Sequence, residues 1–149
     1  MRILLVGSSG GHLAQLYALK SWWSEHETLW VTKETVDATS LLAHEAVLFG
    51  HFPTTRNAKN LARNFGQARK VLADFQPNLI MSTGAGLAVP YYWLAKRAGA
   101  RTAYLEVIDR IDSPTLTGKL VYPFVDEFLV QWPEQQAHYP GATLVGPVI

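Results

Sequence analysis

The chain has 149 residues, of which 48% are hydrophobic and 17% charged, with a formal net charge of +1. That size and balance describe one globular domain able to bury a core and exclude a disordered chain; the near-neutral charge excludes nucleic acid as a default partner. Cysteine is absent, excluding disulfides and thiolate metal sites, and no apolar run approaches the roughly 18 residues of a membrane span.

Residues 2–7 (RILLVG) read as a buried strand, and Leu13, Leu16, Leu19 and Trp23 recur at helical spacing over 11–23. A strand over 28–32 (TLWVT), a short helix over roughly 34–44 and a strand over 46–49 follow, with Pro53 marking a loop over 50–55. The clearest helix spans about 57–75, where Leu61, Phe65, Ala68, Leu72 and Phe75 form one apolar stripe. Gln76-Pro77-Asn78 ends it, and Leu79-Ile80-Met81-Ser82 is the next strand. The turn Thr83-Gly84-Ala85-Gly86 opens a helix over 88–98 that Gly99 ends. A strand over 101–106 (RTAYLE), a polar loop over 107–115, a short helix, a strand over 127–131 and a terminal piece ending TLVGPVI complete the chain. Strands alternating with helices predict an α/β fold, a Rossmann-like parallel sheet flanked by helices with right-handed crossovers. Ligands in such sheets bind beyond the carboxyl ends of the strands, where both small-residue turns and the loop after residue 106 converge.

The first turn, Ser8-Ser9-Gly10-Gly11-His12, places main-chain N–H groups at a helix start, where the helix dipole favours an anion. A tight strand-to-helix turn needs the same glycines with no ligand, but such a turn leaves the serines and His12 unexplained. His12 is a candidate phosphate ligand or acid/base group; a hydrogen-bonded structural histidine is the alternative. Gly84, Ala85 and Gly86 make a second candidate cradle, and together the two could grip a diphosphate. Glu106 ends an apolar strand, with Asp109, Arg110 and Asp112 beyond it, a placement suited to sugar hydroxyls or general-base work. A solvated loop would look the same. Arg56, Lys59, Arg63, Arg69 and Lys70 give one helix a basic face that suits anionic lipid or a diphosphate, or is simply solvated. Trp22-Trp23 and Tyr91-Tyr92-Trp93 fit a membrane surface, an interface or the core. His26, His44, His51 and His138 lack metal-ligand spacing, so no metal is assigned. No cofactor is assigned either.

With these residues in view the chain resembles the acceptor-side subunit of the split eukaryotic transferase that adds the second GlcNAc to a dolichol-diphosphate sugar. It is equally similar to the PssD-type subunits of bacterial capsule and exopolysaccharide synthesis. The resemblance covers nearly the whole chain and rests on GSSGGH, STGAGLAVP, the run YLEVIDRIDSPTLTGKLVYPFVDEFLVQWPE and YPGATLVG. The layout also resembles the N-terminal half of MurG-like, GT-B glycosyltransferases, which take the lipid-linked acceptor there and the UDP-sugar in a second domain.

The resemblance implies a single acceptor-side domain over 1–149, peripheral at the cytoplasmic face of a membrane, with TLVGPVI ending about where a linker to a donor half would start. It implies a donor-binding partner chain and a polyprenyl-diphosphate-linked sugar as acceptor. Ser9, Gly10, Gly11 and His12 with Gly84, Ala85 and Gly86 would bind the acceptor diphosphate. His12 and Glu106 would be catalytic, Glu106 orienting or deprotonating the accepting hydroxyl in an inverting displacement. Arg56, Lys59 and Arg63 would meet the membrane. The eukaryotic subunit usually begins with a membrane helix, which this sequence lacks, and that tilts the reading toward the bacterial branch. A non-catalytic scaffold for the partner is the competing function. A stand-alone NAD-dependent oxidoreductase is disfavoured, because Gln15 stands where the dinucleotide fingerprint needs its third glycine.

Overall fold

The run Ile3-Leu4-Leu5-Val6 has no exposed surface at all, the state of a parallel strand covered by helices on both faces. In the computed structural model, which describes residues 1–148, this strand, β1 (Arg2–Val6), lies in the interior of a seven-stranded sheet. The others are β2 (Glu27–Thr32), β3 (Val47–Phe49), β4 (Leu79–Ser82), β5 (Arg101–Leu105), β6 (Glu127–Val130) and β7 (Thr143–Leu144). Their spatial order is β3-β2-β1-β4-β5-β6-β7, and every pairing is parallel. The predicted fold class is observed. The expected terminal run reaches Ile149, which lies outside the described residues.

The order reverses between β1 and β4, and the crevice such a switch opens lies beyond the carboxyl ends of those two strands. Helices α1 (Gly11–Ala18), α2 (Lys20–Trp23) and α3 (Val36–Leu41) accompany a core of Ile3, Leu5, Leu13, Leu16, Trp23, Trp30 and Ala38. Helices α4 (Ala58–Phe75), α5 (Val89–Ala95) and α6 (Leu116–Val121) serve the other core, built on Leu4, Val6, Ala68, Leu72, Tyr91, Tyr104 and Val121.

Several elements depart from expectation. The helix expected over 11–23 breaks at Leu19, where Trp23 turns inward and its indole Nε1 donates to Leu16 O at 3.2 Å. The helix expected over 34–44 is the shorter α3, started by Thr35, whose hydroxyl accepts from Ala38 N. A 3₁₀ turn (Gly86–Ala88) precedes α5, which ends before the expected residue 98. The strand β7 appears in the terminal piece, too short for its sequence to announce.

The larger departure is in α4. Ala68 and Leu72 are buried as the stripe predicts, but Leu61 is 44% exposed while Asn60 and Asn64 are buried. The helix is rotated so that its amides serve the loop after β3. Asn64 accepts from His51 N at 2.8 Å and donates to His51 O at 3.0 Å; Asn60 Nδ2 donates to Pro53 O at 2.9 Å, and Gln67 Nε2 to Phe49 O at 2.9 Å. Asn64→Leu orphans both main-chain groups of His51 and should cost about 2–3 kcal/mol. Leu61→Ala should stay within about 1 kcal/mol. Urea unfolding of the two variants compares them directly; the reverse ranking would contradict the rotated face.

Candidate functional site

The turn after β1 is built for a sharp reversal. Gly7 N still donates to Val31 O at 3.0 Å, keeping the chain in the sheet; at Gly10 the backbone takes φ 73°, ψ −139°, which strongly favours glycine. Helix α1 then starts at Gly11 without a side-chain cap, so its first N–H groups have no intrahelical acceptor. One amide of the turn is engaged: Gly10 N donates to Asp37 Oδ2 at 3.0 Å. The Thr35 hydroxyl, and then this N–H, hold the Asp37 carboxyl below its ordinary pKa.

His12, half-buried, bridges to the second turn. Its Nδ1 lies 3.0 Å from Thr83 O, and the Thr83 hydroxyl donates to His12 O at 2.5 Å. A carbonyl only accepts, so Nδ1 carries a proton, and in the neutral imidazole Nε2 is then the lone-pair nitrogen. Gly84 makes room for this ring. With φ 133°, an added Cβ would stand 2.7 Å from both Cε1 and Nδ1 of His12, and 3.3 Å from the Tyr104 hydroxyl. Gly84 N is already bonded to Ser82 Oγ at 3.0 Å. A Cβ at Gly86 would meet the Thr54 side chain at 3.1 Å. Both glycines therefore sit in close packing, Gly84 against His12 and Gly86 against Thr54. Between the glycines Ala85 holds φ 87°, ψ 146°, a conformation that costs a non-glycine residue about 1–3 kcal/mol and is kept mostly at functional sites.

Glu106 directly follows β5, and its side chain is turned into the protein. It has no exposed surface, and four donors occupy its oxygens: Val107 N (3.2 Å), Thr115 N (3.2 Å), the Thr115 hydroxyl (2.9 Å) and the Tyr139 hydroxyl (2.6 Å). Burial first, and then this carboxylate, raise the Tyr139 pKa far above its ordinary value. A Cβ at Gly118 would lie 2.6 Å from Glu106 Oε2 and 2.4 Å from the Tyr139 oxygen, so glycine is what lets α6 close over the pair. A general base must reach the proton it takes. Glu106 faces its own loop, and the Tyr104 hydroxyl, 3.4 Å from Thr115 Oγ1, stands between its cluster and the Gly84–His12 contact. Its hydrogen-bond partners are Val107, Thr115 and Tyr139, and His12 is not among them.

Sequence reasoning missed the residues that grip the loop beyond Glu106. Gln15 Oε1 accepts from Ile108 N (3.0 Å), Gln135 Nε2 donates to Val107 O (3.0 Å) and Arg110 O (2.8 Å), and the Trp132 indole donates to Ile108 O (2.5 Å). His138 Nε2 reaches Asp112 O at 2.8 Å. The available signal was the run Gln131-Trp132-Pro133-Glu134-Gln135, polar residues where a strand leaves the sheet.

The basic membrane candidates stand around the start of α4. Arg56, Lys59 and Arg63 are exposed. Of the aromatic pairs, Trp23, Tyr91 and Tyr92 are core and Trp22 is half-buried, leaving Trp93 44% exposed. Trp93 packs against Phe65 on one side and exposed Phe124 on the other, each at 5.8 Å between centroids. With Leu61 and Leu120 they form an apolar ridge. No helix among the described residues is long and apolar enough to cross a membrane, and no group of three or more His, Cys, Asp or Glu there could hold a metal ion. An open groove of about 760 Å³ lies at the opposite sheet edge, lined by Arg69, Leu72, Gln76 and Arg97.

Comparison with known proteins gives the site a context. Residues 57–148 match the family model described as "Oligosaccharide biosynthesis protein Alg14 like". The UDP-N-acetylglucosamine transferase subunit alg14 of Schizosaccharomyces pombe is 29% identical, over 98% of this chain and 82% of its own length. The human subunit of the same name is 21% identical over 100% of this chain and 83% of its own. A bacterial relative from Citrifermentans bemidjiense, named as a UDP-N-acetylglucosamine–N-acetylmuramyl-(pentapeptide) pyrophosphoryl-undecaprenol N-acetylglucosamine transferase, is 27% identical over 94% of this chain. This chain spans 43% of that relative. Among solved structures, MurG of Acinetobacter baumannii superposes with a TM-score of 0.79 at 12% identity, covering 97% of this chain and 45% of that one. At that identity the likeness is one of fold.

The packing of His12 on Gly84 is directly testable. Gly84→Ala should displace the imidazole and break the Nδ1–Thr83 bond, seen as loss of a single Nδ1-protonated tautomer in nitrogen NMR of His12. An unchanged tautomer would contradict the geometry.

Proposed function

The chain belongs to the Alg14-like family of oligosaccharide biosynthesis proteins, and from that premise we propose that it is the acceptor-side subunit of a two-chain glycosyltransferase. In this reading it is one GT-B N-terminal-like domain over 1–149. It binds a polyprenyl-diphosphate-linked sugar and recruits a separate chain that holds the UDP-sugar, in lipid-linked oligosaccharide or in capsule and exopolysaccharide synthesis. The observation that carries the reading is the uncapped start of α1 with the His12 imidazole, tied through Nδ1 to Thr83 O, beside it at the sheet's switch point. The names of the relatives supply the chemistry: subunits of a UDP-N-acetylglucosamine transferase, and an enzyme acting on a pyrophosphoryl-undecaprenol acceptor.

The diphosphate would meet the turn Ser9-Gly10-Gly11-His12, faced by Gly84, Ala85 and Gly86. The accepting hydroxyl would give its proton to His12 Nε2 as its oxygen attacks the anomeric carbon. The bond to UDP breaks on the opposite side, which inverts that centre. Glu106 would hold the wall behind His12. A second reading, a non-catalytic scaffold for the partner, draws on the complete burial of Glu106.

Reconstitution with a donor-binding partner tests both. The pair should transfer sugar and this chain alone should not. His12→Ala should lower kcat by about 10²–10³-fold with association intact. Gly11→Ala, whose Cβ meets nothing within 4 Å, should fold normally but raise the acceptor KM as it obstructs the phosphate. Full transfer by the single chain would sink the proposal, and unchanged turnover in His12→Ala would leave the scaffold.

For the membrane, the proposed contact is peripheral and on the cytoplasmic face, through the ridge Leu61, Phe65, Trp93, Leu120 and Phe124. Lys59 and Arg63 share α4 with the first two, and Lys96 and Arg97 follow Trp93. Trp93→Glu should reduce flotation with phosphatidylcholine–phosphatidylglycerol vesicles about tenfold or more. Equal recovery of variant and parent would discount the ridge.

A further inference from the structure

Four consecutive side chains, Asp109, Arg110, Ile111 and Asp112, stand exposed on the loop after β5, while the main chain around them is held from below. Water satisfies an exposed loop's main-chain groups without help, yet this protein spends buried carboxamides on them. At the centre is Gln131, 1% exposed. Its Nε2 donates to Gln15 Oε1 at 2.7 Å and to Glu106 O at 2.9 Å, and its Oε1 accepts from Val148 N at 3.0 Å. Its own N–H donates to Gln135 Oε1 at 2.8 Å. Only an amide meets this demand: two acceptors on one side, a donor on the other. Gln15, itself 3% exposed, passes the constraint on to Ile108 N, and it sits one turn along α1 from His12.

We propose that Gln131, with Gln15 and Gln135, is a positioning residue that locks the 107–112 loop to the His12 helix, making the loop a preorganised reader of the acceptor's sugar. The inference rests on the acceptor-side reading of the site and deepens it. Sugar hydroxyls fit the chemistry displayed, two carboxylates that accept and a guanidinium that donates, on the same sheet edge as His12. Ordering a loop before the ligand arrives removes that cost from binding, so the benefit falls on acceptor affinity.

The test uses the reconstituted pair and three variants. Gln131→Leu removes both donors at similar volume. Gln131→Glu is isosteric but sets carboxylate oxygens against the acceptors Gln15 Oε1 and Glu106 O. His138→Leu, exposed and bonded to Asp112 O at 2.8 Å, loosens the far end of the loop without touching the core. Two readouts are needed: transfer kinetics, and hydrogen exchange at the Ile108 amide. The proposal expects acceptor KM to rise about tenfold in the Gln131 variants and about threefold in His138→Leu. kcat at saturating acceptor, donor KM and partner affinity should hold within about twofold, and Ile108 should exchange at least about tenfold faster in the Gln131 variants. An unchanged acceptor KM, a shift in donor KM or partner affinity instead, or an unaltered Ile108 exchange rate would each overturn it. Should the Gln131 variants fail to fold, His138→Leu decides alone through the same acceptor KM. If the parent pair transfers nothing, the acceptor-side reading has failed, and Ile108 exchange still decides whether the lock exists.

Discussion

Two hydrogen bonds between residues 12 and 83 hold the mouth of the sheet's switch point. Beyond β1 the chain turns toward one face and beyond β4 toward the other, so the turns would part without a tie. The Thr83 carbonyl takes the His12 ring, and the Thr83 hydroxyl takes the His12 carbonyl. From that pair the rest of the wall follows in van der Waals order. The ring lies where a Gly84 side chain would be, Gly84 faces the Tyr104 hydroxyl, Tyr104 meets Thr115, and Thr115 caps both α6 and the Glu106 carboxylate. Each small or polar residue in the series is there because its neighbour needs the space or the donor.

This ordering separates two kinds of carboxylate. Glu106 is buried, saturated with donors and turned inward. Asp109 and Asp112 are three and six residues further on, exposed on a loop that glutamines hold from beneath. Buried amides suit that task, since they bond main-chain groups in both senses without a net charge to desolvate.

The parallel sheet was legible because its central strands are unbroken apolar runs, and the two turns because glycine interrupts them. The break at Leu19 was not, since Trp23 keeps helical spacing whether or not the helix is continuous. In α4 the stripe was read from apolar residues alone, and Asn60 and Asn64 look like surface positions until the loop they support is in view. Gln15 was noticed only as a missing glycine. Its role depends on Gln131, distant in sequence, and no periodicity reports a contact of that separation. The glycines at 84 and 86 were recognised as special, but their close approach to His12 and Thr54 is visible only in the packing.

The bond between Gly10 N and Asp37 gives the first turn a tethered counter-ion of its own. An anion arriving there meets a resident carboxylate, so occupation of that amide is an exchange of one negative group for another. On the proposed reading, the acceptor's diphosphate would have to outcompete that carboxylate for the Gly10 amide. Since Asp37 stands in the first turn of α3, the same bond ties the start of that helix to the turn after β1.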